Sequence, residues 1–188
     1  ERVAVTLQFS NADDLPITMD QLMRGASSYA NALAKAEIQP GEAVVLILQH
    51  GEPLVYAFWG TILHGAIPSI MPFLTEKLSP ERYRADLSAL ISVTQPAAII
   101  TYPEFEAEVR SALKDGDSVR EVVVTDQVEV QPEIDFDSLS GFQRKPDDIV
   151  LLQHSSGTTG LQKGVALSHQ AVFNQLDSYG KALGLNES

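Results

Sequence analysis

Segments with helical spacing alternate along this chain with short, uninterrupted apolar runs. Residues 2–9, RVAVTLQF, alternate in the manner of a half-buried strand. Their abrupt start predicts that a few residues precede them. Residues 11–16 are polar and read as a turn. Thr18 is placed to cap a helix, with Gln21 at the reciprocal position of a capping box. Leu22, Ala26, Tyr29, Ala30, Leu33 and Ala34 then keep helical spacing. Pro40-Gly41 closes the connection to residues 43–48, AVVLIL, a run that fits a strand buried on both faces. A turn at His50-Gly51-Glu52-Pro53 leads into a second helix. Its apolar side carries Val55, Phe58, Trp59, Ile62 and Leu63, and Gly65 is its natural stop. Residues 66–71, AIPSIM, predict a short strand whose proline places it near a sheet edge.

The exchange continues further on. Ser79 and Pro80 open a third helix with Tyr83, Leu87, Leu90 and Ile91 facing inward. Pro96 precedes a strand over 97–101, Pro103 introduces a fourth helix through Phe105, Val109 and Leu113, and residues 119–125 form the next strand. This pattern predicts an α/β fold, a doubly wound and mostly parallel sheet flanked by helices. Residues 127–148 break it: they are acidic, contain Pro132 and Pro146, and show only a weak strand or turn near 136–139. The expected organisation is an α/β subdomain over 1–126, an acidic connector over 127–148, and over 149–188 the start of a second, incomplete α/β subdomain. In that last part residues 165–167 read as a strand. Ser168 caps a helix through Val172, Leu176, Tyr179 and Leu183, which Gly184 ends.

Residues 149–169, IVLLQHSSGTTGLQKGVALSH, hold the most specific chemistry. Gly157, Gly160 and Gly164 permit backbone conformations that a side chain resists, so successive N–H groups can turn inward around an anion. Ser155, Ser156, Thr158 and Thr159 add hydroxyl donors, and Lys163 adds a charge that reaches phosphate. The spacing excludes the nucleotide-triphosphatase loop, because five residues on from Gly157 stands Gln162 and Lys163 is followed by Gly164 rather than a hydroxyl. No Gly-x-Gly-x-x-Gly run and no Gly-x-Ser-x-Gly elbow occurs in the chain.

The run resembles the phosphate-binding signature of the adenylate-forming (AMP-binding) enzymes: acyl- and aryl-CoA synthetases, fatty acyl-AMP ligases, peptide-synthetase adenylation domains and luciferases. That signature reads approximately Thr/Ser-Ser-Gly-Thr-Thr-Gly-x-Pro-Lys-Gly-Val-x-x-Ser/Thr-His. Ser155, Ser156, Gly157, Thr158, Thr159, Gly160, Lys163, Gly164, Val165, Ser168 and His169 match it, and Gln162 stands where the family usually has proline. Leu63-His64-Gly65-Ala66-Ile67-Pro68 is similar to the family's Lys-Ala-Gly-Ala-x-x-x-Pro segment. Leu152-Gln153-His154-Ser155-Ser156 leans toward the acyl-CoA synthetase and fatty acyl-AMP ligase branches. The resemblance implies an ATP-dependent ligase that joins a carboxylate to AMP, releases pyrophosphate, and passes the acyl group to CoA or an acyl or peptidyl carrier protein. It implies that Thr158, Thr159 and Lys163 hold the β- and γ-phosphates, that Ser155, Ser156, Gly157 and Gly160 shape the loop, and that Lys163 is the catalytic residue of this stretch. It also implies that the chain covers only the opening portion of such an enzyme. The adenine, ribose and Mg2+ contacts would then lie outside it, and the chain alone would be inactive.

Composition narrows the alternatives. Of 188 residues, 25 are Asp or Glu against 13 Lys or Arg, a net charge of -12 that argues against nucleic acid or an anionic membrane as partner. The absence of cysteine excludes disulfides, a thiolate nucleophile and cysteine-type zinc sites. His50, His64, His154 and His169 lack metal-ligand spacing, so no metal ligand is expected. His50 and His64 read as turn or helix-surface residues, Trp59 and Phe58 as core, and Asp147-Asp148 as a solvated turn. No apolar run reaches membrane-spanning length, which fits a cytoplasmic enzyme. Two other readings stand beside the ligase: a non-catalytic binding module of the same fold, and self-association of the chain through an uncovered final strand and helix.

Overall fold

A computed structural model describes residues 2–73, 79–130, 133–155 and 163–184; of the side chains of Ser155 and Lys163 it gives no description. Strand β1 (Val3–Leu7) pairs antiparallel with β2 (Leu15–Thr18). The segment read as a polar turn therefore ends in a strand. Pro16 is tolerated there because the ribbon has only two strands, and a proline can sit where no ladder N–H is required. Thr18 caps α1 (Met19–Lys35) with the full capping box: its side chain accepts from the Gln21 N–H, and the Gln21 side chain accepts from the Thr18 N–H at 2.8 Å.

The central sheet is parallel, with strand order β4 (Ile67–Ile70), β3 (Ala43–Ile47), β5 (Ala98–Thr101), β6 (Glu121–Val124). Its two faces follow the strand period of two. Val44, Leu46 and Leu48 meet Tyr29 and Leu33 of α1 and Ala57 of α2 (Glu52–His64). Val45 and Ile47 meet Tyr83, Leu87 and Ile91 of α3 (Pro80–Thr94) and Val109 of α4 (Glu106–Ala112). Both faces are thus covered by helices, which is why the strands read as unbroken apolar runs. Gly65 ends α2 in the left-handed conformation, and β4 lies at the sheet edge as its proline predicts.

Gln127 onward is irregular but partly docked. Leu139 is buried, and Gly141 lies against the carbonyls of Ile62 and Leu63 in the last turn of α2. Arg144 runs past Gly65 and Gly41 to an ion pair with Asp148 at 3.4 Å. Two backbone hydrogen bonds, His169 N–H to the Asp148 carbonyl and Gln170 N–H to the Pro146 carbonyl, tie this segment to the start of α5 (His169–Leu183). Strands β7 (Ile149–Ser155) and β8 (Lys163–Ser168) form a separate antiparallel pair, with β7 packed beside β4.

Candidate functional site

The sequence singles out the segment between β7 and β8. The antiparallel register sets Ser155 opposite Lys163 and His154 opposite Gly164. The expected phosphate-binding residues Ser156, Gly157, Thr158, Thr159 and Gly160 lie outside the described residues. What the structure supplies is the frame of that segment: two apolar strands, one ending at Ser155 and the other beginning at Lys163. Ser168 accepts from the Ala171 N–H and caps α5, so His169 stands in the first turn of that helix.

Behind the frame sits a contact that sequence reasoning does not reach. His154 Nε2 lies 2.7 Å from Ser69 Oγ on β4, across 85 residues of chain. Its Nδ1 is buried and has no hydrogen-bond partner among the described residues. Burial holds the imidazole below the usual histidine range, so it is neutral at pH 7. The tautomer with Nε2–H donating to Ser69 Oγ is favoured, since it leaves a bare lone pair at Nδ1 rather than an orphaned N–H. Beside it a groove of about 580 Å³ is lined by Phe58, Ile70, Leu151, Leu152, Gln153, His154 and Val165. The only cue in sequence is the position of His154, immediately before the hydroxyl run.

The remaining candidates fall into structural roles. His64 is buried rather than on a helix surface, and its Nε2–H donates to the Ile38 carbonyl at 2.7 Å. Desolvation lowers its pKa, against the opposing pull of that bond and of Glu42. Trp59 is 42% exposed, so it is no core residue in this chain, while its neighbour Phe58 packs on the buried cluster under α2. Asp148 accepts from the Lys145 N–H and pairs with Arg144, closing a turn. Among the described residues no group of three or more His, Asp or Glu could hold a metal ion, and no helix is long and apolar enough to cross a membrane.

The family model for "AMP-binding enzyme" matches residues 1–187. The chain is 31% identical over 167 residues to 4-coumarate–CoA ligase 2 of Petroselinum crispum, covering 85% of this chain and 29% of the relative. It is 26% identical over 177 residues to indigoidine synthase of Dickeya dadantii, covering 93% of this chain and 11% of that protein. In fold it is similar to a fatty acyl-adenylate ligase from L. pneumophila solved with acyl adenylate and pyrophosphate (TM-score 0.73, 22% identity, 97% of this chain and 30% of that one). It is also similar to the adenylation domain of a keto acid-selecting peptide-synthetase module bound to keto acyl adenylate (TM-score 0.79, 18% identity, all of this chain and 33% of that one). The chain thus spans less than a third of the length of the CoA ligases it matches.

Proposed function

The chain belongs to the AMP-binding enzyme family, and on that premise we propose that it is the N-terminal part of an ATP-dependent ligase that activates a carboxylate as acyl-AMP. The observation that carries this reading is the signature run itself, entered from one apolar strand and left by another, with Ser155 and Lys163 brought opposite each other at its base. One carboxylate oxygen attacks the α-phosphorus of ATP. The new C–O–P linkage forms as the bond from the α-phosphorus to the bridging oxygen breaks, and pyrophosphate leaves. Lys163, Thr158 and Thr159 hold the β- and γ-phosphates, and the lysine charge counters the charge that gathers on the departing pyrophosphate. Ser155, Ser156, Gly157 and Gly160 shape the loop. Magnesium, which on this reading would be held by residues elsewhere in the longer protein, would neutralise phosphate charge. The thiol sulfur of CoA or of a carrier protein then takes the acyl group as the C–O bond to AMP breaks and AMP leaves, in keeping with the names of the CoA ligases and of the adenylation-domain relatives.

On the same reading, residues 149–188 open a second unit that later sequence completes, and the 188-residue chain alone is inactive. The test is ATP–pyrophosphate exchange by the longer protein with 4-coumarate, a long-chain fatty acid and an amino acid offered separately. Exchange that depends on one carboxylate class is expected. Exchange with none of the three contradicts the reading.

A further inference from the structure

The bond between Ser69 and His154 joins two sheets at one point. Ser69 is fully buried on β4, the edge of the parallel sheet, and His154 is the residue before Ser155 on β7. Directly across from His154 on β8 stands Gly164, the residue after Lys163. A side chain at Gly164 would meet Leu152 Cδ1 at 3.2 Å and His154 Cε1 at 3.7 Å, so the glycine leaves the space that the imidazole and leucine occupy. Opposed residues of an antiparallel pair point to one face. The ring is therefore held between a serine of the first sheet and a glycine of the hairpin, one residue from each strand end that frames the signature segment.

We propose that His154, acting through Ser69, is a positioning residue for the strand ends that carry Ser155 and Lys163. Its role is to fix where β7 leaves the body of the protein. Among the described residues Nδ1 has no partner, and the Ser69 bond is the one hydrogen bond orienting the imidazole. A lost bond lets the strand end shift, and the phosphates bound beyond it are then met at the wrong distance. The inference rests on the proposed phosphate-binding role of this segment.

The experiment measures pyrophosphate exchange by the longer protein, with KM for Mg-ATP and for the carboxylate determined separately. His154→Leu and Ser69→Ala should each raise the ATP KM about tenfold or more while leaving the carboxylate KM within about twofold. His154→Gln, whose amide N–H reaches as Nε2–H does, should stay within about threefold of wild type, and His154→Asn, which is too short, should resemble His154→Leu. Ser69→Ala removes only one oxygen and keeps the proposal testable should His154→Leu fail to fold. An unmoved ATP KM in Ser69→Ala, or equal losses for both substrates and no recovery in His154→Gln, overturns the positioning role alone. A wild type that exchanges no pyrophosphate overturns the functional reading, and this one with it.

Discussion

Gly141→Ala tests whether the segment after β6 is docked on the parallel domain or merely passes over it. A Cβ built on Gly141 would stand 2.6 Å from the Leu63 carbonyl oxygen and 2.8 Å from its carbon, and closer still to the Ile62 oxygen. Ordinary contact begins near 3.4 Å, so about 0.8 Å must open at Leu63 alone. The backbone there cannot easily retreat, because the Ile62 and Thr61 carbonyls accept from the N–H groups of Gly65 and Ala66 that end α2. Overpacking of this kind costs about 1–3 kcal/mol. If the segment lifts away instead, the burial of Leu139 is lost, worth about 1.5–3 kcal/mol. Either route predicts a loss of about 1–3 kcal/mol, or about 2–12 °C in melting temperature for a chain of this size. Urea and thermal unfolding followed by circular dichroism measure it. The control is Gly180→Ala in α5, where nothing lies within 4 Å of the new methyl and helix propensity predicts a gain of up to about 1 kcal/mol. A Gly141→Ala chain as stable as wild type, or a Gly180→Ala chain equally weakened, would refute the close-approach argument.

Three further outcomes are expected. Burial lowers the folded-state pKa of both His64 and His154 below the ordinary 6.5, so the unfolded chain binds more protons in that window. Stability should therefore be fully present above pH 6.5 and fall as the pH drops through and below it, and His64→Gln should flatten the slope of the urea midpoint against pH; a slope unchanged in that variant removes His64 as a source. Lys163→Ala in the longer protein should cost the adenylation step about 2–4 kcal/mol, or about 30- to 1000-fold, with little change in melting temperature; near-wild-type pyrophosphate exchange rejects the role given to the lysine. The 188-residue chain titrated with Mg-ATP should bind no tighter than about millimolar, because a few phosphate contacts must offset both loop ordering and a net charge of -12. Micromolar affinity by calorimetry would show that the later sequence is not needed for nucleotide binding.

Local signals were legible wherever the side chains and backbone of one segment decide the outcome. The capping box at Thr18 and Gln21, the left-handed stop at Gly65 and the buried run at 43–48 all form as their residue types require. Strand β2 was hidden because Pro16 and the polar residues before it imitate a turn, and only pairing with β1 makes a strand of them. The exposure of Trp59 and the burial of His64 depend on what packs against α2, which no helical spacing reports. The signature run pointed to its family directly, since the match lies in residue types at fixed spacing within one segment. The Ser69 contact of His154 could not, because 85 residues separate the partners and neither type is unusual where it stands.

Oxygen labelling follows the proposed bond between the carboxylate and the α-phosphorus of ATP. The longer protein is given ATP and its carboxylate labelled with 18O in both oxygens, and the acyl product is trapped with hydroxylamine so that no particular thiol is needed. Attack at the α-phosphorus leaves one carboxylate oxygen on AMP when the acyl group is released. The expected result is AMP carrying one 18O, unlabelled pyrophosphate, and loss of the labelled AMP in Lys163→Ala. Label appearing in inorganic phosphate with release of ADP would place the attack at the γ-phosphorus and rule out acyl-AMP formation.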